Sequence, residues 1–158
     1  MARWLLLRQI PIYPNFARLV LRIFVFLILF WKHGAAMLFA FGATLQGFPD
    51  PLHIGPVPTL VVATVADGIC SLLIVAGLFT RWAALYSFFV HLVAFVFVLH
   101  FTFISREVPR GEQLLMYMGA SLALYFLGAG KFSIDAMIDR VRGTKLAPIE
   151  YAEVAQMY

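Results

Sequence analysis

The chain has almost no cysteine. Cys70 stands alone among 158 residues, so an intrachain disulfide and an all-cysteine metal site are both excluded, and there is no CxxC redox pair. Charge is also scarce: Asp, Glu, Lys and Arg make up 13% of the residues, about half of what a soluble domain carries. Glycine-rich phosphate loops, dinucleotide fingerprints and zinc-finger spacings are missing, as is any flavin or iron–sulfur motif. The net charge of +4 therefore does not indicate nucleic acid. The basic residues lie at helix ends and in tails, where they serve to orient the chain against anionic lipid.

What remains is apolar. Hydrophobic residues make up 63% of the chain and aromatic residues 16%. A domain of this size could not bury so much in water, whereas lipid leaves no need to. The apolar runs are continuous and lack the alternation of barrel strands, so the fold class is all-α. Four spans are expected, at about 17–41, 57–79, 82–104 and 112–127. Each is near the ~20 residues that cross a bilayer core, the last being the shortest. The first reads as a retained helix rather than a signal peptide, because it is too long and Lys32-His33 interrupts it.

Arg3, Arg8, Arg18 and Arg22 precede or open the first span, Arg81 joins the second to the third, and Lys131, Arg140, Arg142 and Lys145 follow the fourth. The stretch from Gly42 to Pro56 has no lysine or arginine, while Arg106 and Arg110 lie before the fourth span. This bias predicts a polytopic four-transmembrane-helix bundle in the inner (cytoplasmic) membrane, with both termini cytoplasmic. Residues 1–16 form an N-terminal interfacial segment, including Trp4 to Leu7. Residues 17–135 form the membrane domain, and residues 136–158 a cytoplasmic amphipathic tail. The alternation around Ile134, Ile138 and Val141 suggests a short helix on the inner surface. Pro49, Pro51, Pro56 and Pro58 stiffen an outer loop long enough to cover the bundle mouth.

Ionisable residues inside a span cost about 2.5–3.5 kcal/mol each on insertion scales, so they are the informative positions. They are Lys32, His33, Asp67, His91 and His100, with Glu112 opening the fourth span. Helical rise places most of them in the outer half of the bundle, with Lys32 expected to pair with Asp67 or Glu112. His33, Asp67 and Glu112 are the candidate catalytic residues; Lys32, His33, His91 and His100 are the candidate cofactor-binding ones. Such a group can donate hydrogen bonds to quinone carbonyls and move protons, although lysine and carboxylate also pair simply to fix register. Haem needs two axial histidines at one depth. His33 and His100 meet that only roughly, and His91 and His100 fall on nearly opposite helix faces, which argues against haem. Arg22 alone reads as a membrane-edge anchor. Cys70 reads as a small buried apolar side chain, and Phe88, Phe89, Phe95, Phe97, Tyr117 and Tyr125 as packing residues that can also line a ring pocket.

Several stretches resemble the DoxX-like membrane family, from about Ala17 to Asp135. They are Arg22 with Trp31, His33 and Gly34; Asp67 in the second span; the turn Gly77-Leu78-Phe79-Thr80-Arg81; Gly111-Glu112; and Gly128 to Asp135, read GAGKFSID. Lys32, Ala129, Lys131 and the aspartate at position 67 depart from the family pattern. The resemblance implies a quinone-binding membrane subunit of an oxidoreductase complex, linked to sulfur-compound oxidation or oxidative-stress defence. It also implies a redox partner subunit to supply electrons. The alternative is a non-enzymatic scaffold or assembly factor that recruits a soluble partner. A solute carrier ranks last, because there is no inverted repeat. The implied partners are membrane lipid, quinone, the redox subunit and a second copy in a homodimer.

Overall fold

The computed structural model describes residues 13–101 and 110–142. Residues 1–12, 102–109 and 143–158 lie outside the described residues, and with them the expected N-terminal interfacial segment and most of the expected C-terminal tail. Among the described residues the chain is all helical, without strands. Six helices follow in order: α1 Pro14–Phe39, α2 Phe41–Leu45, α3 Pro56–Ala76, α4 Thr80–Val98, α5 Arg110–Leu127 and α6 Ile134–Arg142. Pro14 and Pro56 open α1 and α3, where a missing N–H costs nothing.

Among the described residues three helices, α1, α3 and α4, are long and apolar enough to cross a membrane. The fourth long helix, α5, has 18 residues and carries Arg110 and Glu112 in its first turn; it packs along α4. Helices α1, α3 and α4 end earlier than expected, at Phe39, Ala76 and Val98 rather than near 41, 79 and 104, whereas α5 ends at Leu127 as expected. Beyond Val98 the chain turns at His100 and Phe101, both with positive φ (46° and 59°), which no helix accommodates. The exposed surface is itself apolar and aromatic: Trp31, Phe39, Trp82 and Phe126 are each at least 69% exposed. That is the surface of a helix bundle solvated by lipid.

The core is built from Phe26, Leu29, Leu60, Ile74, Ala84 and Leu124, all without exposed surface. Two close approaches set the geometry. A Cβ placed on Gly34 would lie 2.1 Å from the carbonyl oxygen of Asp67, so only glycine lets α1 and α3 touch backbone to backbone there. One helical step on, a Cβ at Gly68 would lie 2.9 Å from Leu38.

At the opposite end, two motifs that are far apart in sequence meet. Gly77, at φ +75°, ends α3, with Leu78 N–H bonded to Leu73 O at 2.9 Å. The Asp135 carboxylate accepts from Phe79 N–H, and its own N–H donates to Gly77 O, each at 3.1 Å. Ser133 caps α6 through Ala136 N–H at 3.1 Å. Arg22 corrects the expectation of a membrane-edge anchor: it is fully buried, donates from Nη2 to Phe132 O, and faces the charge of Asp135. It clamps α1 to the segment joining α5 to α6, where the Phe132 carbonyl accepts from it and the Asp135 carboxylate faces it. The short helix expected near residue 134 is α6.

Candidate functional site

The helices that carry the polar residues depart from regular α geometry where those residues sit. Phe30–Gly34 in α1 and Val65–Cys70 in α3 are π-helical turns, holding Lys32, His33 and Asp67. A π turn inserts one residue's worth of rotation, and such turns gather at functional sites. Together with the Gly34 contact, they bring His33 and Asp67 to one point between α1 and α3.

His91, from α4, meets them. Its Nε2 lies 3.4 Å from Asp67 Oδ1, and it is 4% exposed against 13% for Asp67. Its Nδ1 lies 2.7 Å from Ser87 O. A carbonyl only accepts, so Nδ1 carries a proton, and Nε2 faces the carboxylate. Nε2 and Oδ1 together have room for one further proton, on the imidazole or on the carboxyl. At 3.4 Å the pair is looser than a good hydrogen bond, and Oδ1 is buried without a hydrogen-bond partner among the described residues. Burying such an atom unmatched costs on the order of 1–3 kcal/mol or more, so the arrangement is poised to gain from a donor. Tyr117 closes the group, its ring edge-on to His33 (centroids 6.4 Å apart) and tilted against His91 (5.5 Å).

These side chains line a cavity of about 160 Å³, walled besides them by Gln113 and apolar groups such as Leu29, Met37 and Val90. Among the described residues no cluster of three His, Cys, Asp or Glu has the arrangement of a metal site.

The other candidates fall elsewhere. Lys32 pairs with neither Asp67 nor Glu112. It is exposed and opens onto a separate hollow of about 230 Å³, between α1 and α5. Neighbours on a helix point about 100° apart, so His33 and Lys32 cannot both face inward. Glu112 is exposed and does not line the cavity, whereas Gln113, the next residue, does. His100 is exposed on the turn after α4, beside Pro49, Asp50 and His53. The structure thus gathers His33, Asp67 and His91, and leaves Lys32, Glu112 and His100 outside. Two participants were not singled out from the sequence: Gln113 and Ser87. Their signal was spacing, since Ser87 and His91, and Gln113 and Tyr117, are each four residues apart and share a helix face.

Outside the cavity, the loop after α2 is organised by Asp50. Its carboxylate accepts from Gly55 N–H (2.8 Å), Ile54 N–H (3.2 Å) and the Thr59 hydroxyl (2.9 Å). Desolvation works to raise its pKa, but these hydrogen bonds and nearby His53 outweigh it and hold the carboxyl below its ordinary value.

No curated protein and no solved structure matches the chain. The family described as DoxX matches residues 17–100, which include α1, α3, α4 and the residues His33, Asp67 and His91. That match covers more than half of the sequence, and the chain belongs to the DoxX family.

Proposed function

We propose that this chain is the quinone-binding membrane subunit of an oxidoreductase complex. It spans the inner (cytoplasmic) membrane four times with both ends in the cytoplasm, α5 being the fourth span. Reporter fusions at the two ends test that topology, and a signal from opposite sides would refute it. The observation that carries the functional reading is the cavity at Asp67. A volume of about 150 Å³ suffices for one benzene-sized ring, and the hollow here is about 160 Å³. Its walls are mostly apolar with a few polar groups, His33, Asp67, His91, Gln113 and Tyr117, as a ring with carbonyl oxygens requires.

Reduction of a quinone to the quinol takes two electrons and two protons, and a redox partner subunit supplies the electrons. The residues of this chain bind the ring, keep water out and hold protons. The His91 Nε2–Asp67 Oδ1 pair can hold one of the two protons at the cavity wall, where an incoming carbonyl oxygen can accept it. Ser87 O fixes the tautomer that makes Nε2 the inward atom. His33, close enough to act on the charge of Asp67, supports the same centre.

The experiment is extraction and mass spectrometry of quinone bound to the native complex, with Asp67→Asn and Gly119→Ala compared. A charge-assisted hydrogen bond is worth about 1.5–3 kcal/mol, so Asp67→Asn is expected to lower affinity roughly tenfold or more. Gly119 has open space around it, and Gly119→Ala is expected to bind as wild type. Wild-type complex without quinone, or undiminished binding in Asp67→Asn, sinks the reading. A second reading, a scaffold for a soluble partner, is favoured by the open cleft of about 750 Å³ at the other end, bordered by Trp82, Arg81 and Asp139. A stable partner that stays bound in Asp67→Asn, on a complex that never holds quinone, would select it.

A further inference from the structure

Next to the ring-sized cavity lies a second hollow, of about 260 Å³, between α3 and α4 on the side covered by the loop of residues 48–54. The two adjoin: Phe48, Ala63, Val90 and Ala94 line both. Their chemistry differs sharply. The first ends on Asp67 and His91. The second is walled by side chains such as Val62, Phe89, Val93 and Leu52, and the two hydroxyls on its lining are already engaged. Tyr86 donates to Val62 O at 3.3 Å, and Thr59 lies 2.9 Å from both Asp50 Oδ1 and Gly55 O. With no free polar side chain on its walls, the groove can hold only hydrocarbon without leaving a polar group unpaired. Its outer rim opens to the lipid-facing surface, where Val62 and Phe89 are 40% and 54% exposed. The roof is stiff, because Pro49 and Pro51 restrict the backbone and Asp50 ties the loop to the start of α3.

We infer that this groove takes the hydrocarbon tail of the same amphiphile whose ring enters the cavity at Asp67. The inference rests on the quinone reading and adds to it the exit route of the tail: past Ala63 and Val90, between α3 and α4, beneath the proline-stiffened loop. Ala63, on the wall that the two hollows share, has a small side chain. A chain in the groove buries methylenes against Val62, Phe89 and Val93, so part of the affinity of a tailed ligand comes from contacts that a tail-less one lacks.

The test uses the full chain in lipid nanodiscs. A benzoquinone with a ten-carbon chain is compared with its tail-less methyl counterpart, with affinities corrected for partition into lipid. Val93→Trp fills the groove without touching the ring cavity. Val62→Trp does so from the lipid-exposed rim, where a large side chain is readily tolerated, and serves if the first variant fails to fold. The expected result is a loss of about tenfold for the tailed compound, the equivalent of roughly two buried methylenes, with the tail-less one unchanged. If both variants bind both compounds as wild type does, the tail lies elsewhere and this inference falls while the ring reading stands. If wild type binds neither compound, the ring reading fails and takes this inference with it. Native mass spectrometry showing a phospholipid retained at saturating tailed quinone also overturns it.

Discussion

The contact at Gly34 allows a sharp test of how the polar cluster is assembled. Gly34→Ala places a methyl 2.1 Å from Asp67 O, 2.6 Å from its carbonyl carbon and 2.8 Å from Gly68 Cα. All three are backbone atoms, so no rotamer change relieves the clash. Carbon atoms pack at about 3.5–4.0 Å, so α1 and α3 must part by roughly 1 Å or more. Overpacking of this kind typically costs about 1–3 kcal/mol. It also draws His33 away from Asp67, since both sit on the turns that the contact presses together. Gly119→Ala is the matched control. It lies within α5 with nothing within 4 Å of the added methyl, and a helical Gly→Ala change gains about 0.5–1 kcal/mol. The assay is thermal unfolding of the full chain in mild detergent, followed by tryptophan fluorescence. Gly34→Ala is expected to melt well below wild type and Gly119→Ala at or above it. Equal stability of Gly34→Ala and wild type would refute the close approach of α1 and α3, and with it the explanation of how His33 reaches Asp67.

Two further outcomes follow from the ends of the bundle. Asp135→Ala removes the acceptor of Phe79 N–H and the opposite charge facing buried Arg22, so a loss of about 1.5–3 kcal/mol is expected by the same melt. A conservative Asp135→Asn change is expected to recover the hydrogen bond but not the charge, and to fall between the two. At Asp50 the folded-state pKa is depressed, so its loop clamp is fully present above the ordinary carboxylate value of 3.8 and is lost as pH falls through the lower folded value. Hydrogen-exchange protection at Ile54 and Gly55 is expected to hold at neutral pH, fall only in that acid window, and be weak at every pH in Asp50→Ala. Protection that survives full protonation would show that the prolines, not the carboxylate, hold the loop.

Much of the architecture was written in composition and pattern. Continuous apolar runs forced helices, because the backbone must satisfy its own hydrogen bonds in lipid, and the rare ionisable residues marked where chemistry could lie. Depth along a helix was legible from the rise per residue. Direction around the helix was not. Lys32 and His33 are adjacent, as are Glu112 and Gln113, and one member of each pair faces inward; the π turns in α1 and α3 shift the register on which a 3.6-residue reading depends. So Lys32 was given to Asp67 when His91 is its partner. Arg22, read alone, looked like an anchor at the lipid edge, because nothing local shows that Phe132 and Asp135, more than a hundred residues later, return to meet it.

The helical class, the approximate helices and the residues available for chemistry follow from local hydrogen bonding and from the cost of charge in hydrocarbon, both readable along the chain. Which of those residues meet is a matter of how the helices pack. That choice rests on helix rotation and on the backbone contact at Gly34, and both are settled by packing between helices rather than within them.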